Sequence, residues 1–236
     1  MSASKQPTDI DYINFLTAAR CDVSCVKVAD CYSDENYLVA HDTFNRFLTR
    51  QSLTPETLWA EVEKYVDRKT GWLILDDSIL DKIHSNKIEL TYFQWSGKHH
   101  KVIKGIGLIT LIWTDGILAF PIDYRIYDKN EDQKTKNDHL RDMTKTASNR
   151  RFTPSFIMFD SWYSSTENLK FIDRLGWNWF TRVKKNRSIN PDGSGNISIE
   201  TLPIPEEGLE VHLKKYGFVK VFRLIDEVHG LCTFDT

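Results

Sequence analysis

Hydrophobic and polar positions along the chain follow two periods. Up to residue 70, "DIDYINFLTAAR" and "DTFNRFLTR" space apolar residues at helical intervals. "SLTPETLWAEVEKYV" adds a start signal, with Thr54 as N-cap and Pro55 at the first helical position. The spacing predicts a small all-helical module over residues 1–70, a candidate for DNA binding. From Gly71 the period changes to that of strands: "GWLILD", "IKGIGLITLIW", "GILAFPIDYRIY", "SFIMFD" and "WNWFTRV" are rich in branched and aromatic residues. "TDG" at Thr114 to Gly116 marks a hairpin turn between the second and third of these runs.

Helical patterns return later, in "NDHLRDMTKTAS" and in "SSTENLKFIDRLG", where Ser164 with Glu167 reads as a capping box and Gly176 as the C-terminal stop. The order strand, strand, strand, helix, strand, helix, strand predicts an α/β fold. An antiparallel meander followed by crossovers gives a mixed β-sheet flanked by helices over residues 71–236. "NPDGSGN", Asn190 to Asn196, is a turn-rich loop at the start of an insertion that begins near residue 188.

Bulk composition narrows the function classes. Forty-one per cent hydrophobic and 27% charged residues in 236 positions describe ordinary globular material, and no apolar run reaches a membrane span. The N-terminus "MSASKQPTDID" has no signal segment, so a cytoplasmic protein without membrane partners is expected. Cys21, Cys25, Cys31 and Cys232 are too few for a disulfide framework, and a zinc site from the first three lacks both a fourth ligand and a knuckle spacing. Reduced thiols are the expectation. The net charge of −2 gives no global pull on nucleic acid, so any DNA contact must come from local clusters. Lys98, Lys101 and Lys104 form one, Arg150 and Arg151 a second, and Arg182, Lys184, Lys185 and Arg187 a third.

Two acidic positions stand out. "LILDDS" and "FIMFDS" each end an apolar strand with a carboxylate, and carboxyl ends of parallel strands form the usual ligand crevice of such sheets. Acids held close repel unless a cation sits between them, and hard oxygen donors suit magnesium or manganese. The competing reading is that Asp77 opens a turn and Asp160 caps the following helix. Strand alternation alone does not choose between Asp76 and Asp77.

At these residues the chain resembles the DDE-type insertion-sequence transposases. The likeness is carried by "LILDDSILDK", "WSGKHHKVIKGIGLITLIWTDG", "DYRIYDKNEDQKTKNDHLRDM", "FDSWYSSTENLKFIDRLGWNWFTRVKKNR" and "AHDTFNRFLTR". The resemblance implies a ribonuclease-H-like fold in which three carboxylates hold two metal ions. It assigns the first catalytic and metal-binding acid to Asp76, by the pattern acid, any residue, Ser or Thr, and the second to Asp160. The third, a Glu on a late helix, has no counterpart, because Glu200, Glu206, Glu207, Glu210 and Glu227 lie in the insertion or on its closing strands and the sequence stops at "GLCTFDT". The implied domain is therefore incomplete.

The activity implied is metal-dependent DNA strand cleavage and transfer with Mg2+ or Mn2+. The implied partners are double-stranded DNA, both element ends and target, and a second copy or an intact transposase; on DNA the protein would associate with the nucleoid. DNA contacts are expected from Lys98, Lys101, Arg182, Lys184, Lys185 and Arg187. The alternative is a truncated, inactive copy that still binds DNA or intact transposase.

The remaining chemistry-bearing residues have ordinary explanations. The tyrosines read as strand and core aromatics, and Lys82 as a solvated lysine. His99 and His100, taken as strand neighbours, would face opposite ways and suit the surface or a DNA backbone. Trp162 reads as a packing residue or as a platform for a base.

Overall fold

The computed structural model describes residues 6–19, 23–33, 38–128, 131–224 and, as backbone alone, 227–232. Its residues group into two compact units, Met1–Thr54 and Pro55–Thr236. The first contains α1 (Asp9–Ala18), α2 (Cys25–Tyr32) and α3 (His41–Arg50). Thr8 caps α1 by accepting from the Asp11 amide while the Asp11 carboxylate accepts from the Thr8 amide. Phe15, Val28, Ala29 and Phe44 make its small core.

The division at Thr54/Pro55 lies earlier than the boundary at residue 70 read from the sequence. Helix α4 (Pro55–Val62) has the same period as the helices before it, yet it packs on the strand Ala119–Tyr127, and the Trp59 ring meets Phe152 at 5.6 Å. Period reports that a helix has a buried stripe. It does not report which partner buries it.

The second unit is built on β1 (Trp72–Asp81), β2 (Tyr92–Ser96), β3 (Lys101–Thr114), β4 (Ala119–Tyr127), α5 (Lys136–Asn149), β5 (Phe156–Phe159), α6 (Thr166–Arg174) and β6 (Trp179–Arg182). After these come β7 (Ser188–Asn190), β8 (Ile197–Ser198), β9 (Leu209–Leu213), β10 (Gly217–Leu224) and β11 (Glu227–Cys232). Strand β3 pairs antiparallel with β1 on one side and with β2 and β4 in succession on the other. Strand β5 runs parallel to β1, and β6 parallel to β5. The later strands extend the sheet from β6 through β11, β10, β9 and β7 to β8. This is the mixed, helix-flanked α/β sheet expected from the order of elements.

Local chemistry explains several element ends. At the turn after β3, Asp115 Oδ1 accepts the amides of Ile117 and Leu118 at 2.9 and 2.7 Å. Thr135 caps α5 in a capping box with Asp138. Helix α6 ends where Gly176 takes φ +73°, as read from the sequence. Its start differs by one residue. Ser165 is the N-cap and accepts from the Asn168 amide at 3.2 Å, whereas the Ser164 hydroxyl donates to the Ser161 carbonyl.

Strand β1 also differs from expectation, running through both acids to Asp81 instead of ending at them. Asp77 therefore opens no turn. Along β1 the alternation is strict: Leu73 and Leu75 are buried, while Trp72, Ile74 and Asp76 point to the other face. Ile157 and Phe159 of β5 and Trp179 and Thr181 of β6 continue the buried face, which receives Leu140 and Met143 of α5 and Leu169 and Ile172 of α6. Each large side chain buried there contributes about 1.5–3 kcal/mol.

Candidate active site

The pairing of β1 with β5 aligns Ile74 with Met158 and Leu75 with Phe159, so the next step along the register faces Asp76 with Asp160. The pairing of β5 with β6 aligns Phe159 with Thr181, and the next step faces Asp160 with Arg182. Register partners in parallel strands share a face, with neighbouring strands about 4.8 Å apart. Asp76, Asp160 and Arg182 thus form one row, midway along β1 and at the carboxyl ends of β5 and β6. They line a cleft of about 300 Å3 together with Ile74, Met158 and Phe180.

Each acid is held by short backbone bonds. Asp76 Oδ1 accepts the Asp77 amide at 2.8 Å, and Asp160 Oδ1 accepts the Trp162 amide at 2.8 Å. Asp160 therefore closes a tight turn and does not cap α6, a role that belongs to Ser165. The Thr181 hydroxyl donates to the Phe159 carbonyl at 2.8 Å and ties the end of β5 to β6. The Asp76 carboxyl is pushed above the usual carboxylate range, first by partial desolvation against its apolar neighbours and then by the charges of Asp77 and Asp160. The Asp77 amide and Lys136 pull it the other way.

Asp77 faces the helices. Its carboxylate accepts from Lys136 Nζ at 2.5 Å and from the Tyr163 hydroxyl at 2.8 Å. It joins β1 to the first turn of α5 and to the loop that carries Asp160. Burial and this carboxylate push the Tyr163 hydroxyl far above the tyrosine range, so it donates throughout the working pH range. Neither partner was visible in the sequence, because nothing in the spacing of positions 77, 136 and 163 announces a contact.

The basic residues scatter. Arg182 lies in the acidic row, and Lys184 and Lys185 are exposed just beyond it. Arg187 is turned inward: its guanidinium donates to the Ser164 carbonyl at 3.1 Å and to Thr166 Oγ1 at 3.0 Å. It is half-buried and holds the loop before α6. Lys98 and Lys101 are exposed at the β2–β3 turn. Lys101 stands nine residues before Thr110, the partner of Asp76, which is roughly 30 Å along the strand.

His99 and His100 occupy that turn and not a strand; His99 Nε2 lies 2.8 Å from Asp81 Oδ2, and His100 takes φ +48°. Cys25 and Cys31 are free, whereas Cys21 and the Cys232 side chain lie outside the described residues. Glu200 lies 4.0 Å from Lys185 in the insertion, and Glu227 lies outside the described side chains.

Two carboxyl groups on one row are a fitting hard-oxygen donor pair for a divalent cation, which would relieve the repulsion between their charged forms. No group of three or more His, Cys, Asp or Glu suited to a metal occurs among the described residues. No helix among them is long and apolar enough to cross a membrane.

Comparison with known proteins follows the geometry. The family whose model matches residues 18–198 is described as DDE superfamily endonuclease. No curated protein matches the chain. Among solved structures, the piggyBac transposase synaptic complex with hairpin DNA is similar over 100% of this chain and 54% of its own, at 13% identity and a TM-score of 0.54. The Drosophila P element transposase strand transfer complex is similar over 82% of this chain and 51% of its own, at 11% identity and a TM-score of 0.33. The chain thus spans about half the length of these proteins. The first likeness shows the fold, a ribonuclease-H-like mixed α/β domain.

Proposed function

This chain belongs to the DDE superfamily endonucleases, and from that premise we propose that it is a transposase of an insertion sequence that cuts and joins DNA at the row Asp76, Asp160 and Arg182. The observation that carries the reading is the register: two acids 84 positions apart in sequence meet as neighbours on one face, where β5 ends beside the middle of β1. Folding has brought them together on the face that the helices leave open.

In this reading Asp76 and Asp160 hold magnesium or manganese, and Arg182 takes a phosphate oxygen of the bound strand. When bound, the metal supplies Lewis acidity toward the scissile phosphate and lowers the pKa of an attacking oxygen. The carboxylates must be ionised to serve, so cation affinity rises with pH through the raised pKa of Asp76. Asp77 keeps β1 in the register that presents Asp76 to the cleft. Lys184 and Lys185 lie where a DNA backbone leaving the cleft would pass, and Lys98 and Lys101 meet duplex farther out. Partners are the element ends, the target duplex and a second transposase copy.

Manganese titration followed by electron paramagnetic resonance tests the donor pair. The wild type should bind the ion, and Asp76→Asn and Asp160→Asn should each weaken binding by at least about tenfold, one lost charged ligand being worth 1.4 kcal/mol or more. Unchanged manganese binding in both variants would sink the assignment. Nicking of element-end DNA that needs the metal and both acids would establish the activity. DNA binding without nicking in either metal would favour the DNA-binding reading over the enzyme.

A further inference from the structure

We propose that β2 is a self-association edge: two copies of this chain pair their β2 strands antiparallel about a two-fold axis at Gln94, joining their sheets into one. This deepens the reading above by giving the second copy a place to bind, and it rests on that reading for the purpose of the pairing alone. Strand β2 is the last strand at its end of the sheet and pairs only with β3 among the described residues. Phe93, Trp95 and the residue facing Trp95, Val102, share one face and are 73, 64 and 58% exposed.

An open edge is a template for further pairing, and proteins ordinarily blunt it with charge, proline or a bulge. Strand β4, which lies along the same side of β3, has all three: Asp123 and Arg125, Pro121, and a register shift between its pairs with Leu111 and Ile112. Strand β2, with the sequence Tyr-Phe-Gln-Trp-Ser, has none of them. The strand at the far end of the sheet, β8, is two residues long and too short to receive β2. Head-to-tail growth therefore lacks a second surface, whereas β2 pairing with itself uses both edges and closes.

The hairpin that carries the edge is anchored. Ser96 Oγ accepts the His99 amide at 3.3 Å, and His99 Nε2 lies 2.8 Å from Asp81 Oδ2, tying the turn to the end of β1. Exposed Glu89 precedes the strand and exposed Lys98 follows it. Antiparallel pairing brings unlike charges together at both ends, and parallel pairing would set like against like. A two-fold axis perpendicular to the sheet keeps every side chain on its own face, so it must pass through a residue and not between two. Centring on Gln94 pairs all five residues of β2 and sets Phe93 against the partner's Trp95 on both sides of the axis.

Sedimentation of the full chain from about 1 to 100 µM should show monomer passing to dimer, as suits a small interface. Trp95→Lys should raise the dimer dissociation constant by at least about tenfold, since the symmetry repeats the loss, and Trp95→Phe should keep most of the affinity. Under mild oxidation Gln94→Cys should give a disulfide-linked dimer that the wild type, with its four cysteines, does not. Facing residues of antiparallel strands have Cα atoms about 4.5–5.5 Å apart, within disulfide reach. Thermal melts of dilute Trp95→Lys should match the wild type, and if that variant fails to fold the cross-link decides. Val102 stands eight residues before Thr110, the partner of Asp76, so these changes lie roughly 27 Å from the carboxylate row.

A wild type that stays monomeric throughout, a dimer neither weakened by Trp95→Lys nor cross-linked through Gln94→Cys, or assemblies that grow beyond two would overturn the edge. Manganese binding and nicking would be unaffected by any of these, so the endonuclease reading stands or falls separately. A dimer that survives Trp95→Lys while DNA affinity falls would make the aromatic face a DNA contact and end the proposal.

Discussion

The two faces of the β1–β5–β6 sheet are built from alternate residues of the same short strands, yet they differ in kind. On the face covered by α5 and α6, Leu73, Leu75, Ile157, Phe159 and Trp179 are buried, and the acid at the end of the row, Asp77, is matched by Lys136 and Tyr163. On the opposite face, Ile74, Phe156, Met158 and Phe180 line a shallow apolar cleft of about 690 Å3 that runs into Asp76 and Asp160. One face satisfies its charges within the protein. On the other, two like charges share a row with Arg182 along the cleft. The difference teaches that a buried, partnered acid and an open, like-charged pair are separate signals, even when they occupy consecutive positions.

The sharpest way to break this comparison is to exchange acids for amides. Asp76→Asn should reduce metal-dependent DNA nicking by several orders of magnitude, since each 1.36 kcal/mol lost in the transition state is about tenfold in rate. Single-turnover gel assays measure this. If Asp77→Asn proved just as damaging to nicking while leaving the melting temperature intact, the assignment of faces would be reversed.

Next in size is the cost of removing the partnered acid. Asp77→Ala leaves Lys136 and Tyr163 without their acceptor in a largely buried place, which should cost about 2–3 kcal/mol. Chemical denaturation should show a lower midpoint at constant slope. Tyr163→Phe removes one of the two bonds and should cost about 1 kcal/mol.

The two arginines carry the comparison onto β6 and beyond. Arg187→Ala breaks the bonds to Ser164 and Thr166 and should lower stability by about 1–2 kcal/mol. Arg182→Ala, on the cleft face, should weaken DNA binding and flatten its salt dependence by about one unit of slope. Salt titrations of affinity and thermal melts of both variants separate the two effects.

The smallest expected effect has an informative sign. Because the folded protein raises the pKa of Asp76, the unfolded chain ionises this group first, and stability falls as pH rises from the unfolded to the folded pKa. Asp76→Asn should therefore raise the melting temperature slightly at neutral pH. The gain should vanish below the unfolded carboxylate range, where both forms are protonated. Calorimetry across that window would show it; a lower melting temperature at neutral pH would mean that Asp76 is internally satisfied as Asp77 is.

Much of this arrangement was legible in the sequence because two-residue periodicity is a local property. The runs around Leu73, Ile157 and Trp179 announced strands, and acids following two of them announced a crevice. What the runs did not report was which of their faces would be covered. Asp76 and Asp77 are indistinguishable until Lys136 and Tyr163 arrive from positions 59 and 86 residues away. The same blindness grouped α4 with the N-terminal helices and hid the bonds of Arg187 to Ser164 and Thr166. Ser165 displaced Ser164 as the cap because adjacent serines are equivalent in composition and differ only in backbone angle.

Strict alternation in β1 also has a hereditary consequence. Loss or gain of a single codon between Leu73 and Asp76 would turn every later side chain of the strand over, delivering a charge to the core and a leucine to the cleft. Two codons would preserve the facing and merely slide it. The reading frame is indifferent to the distinction, but the fold is not, so this stretch should record its history as substitutions and as length changes in pairs.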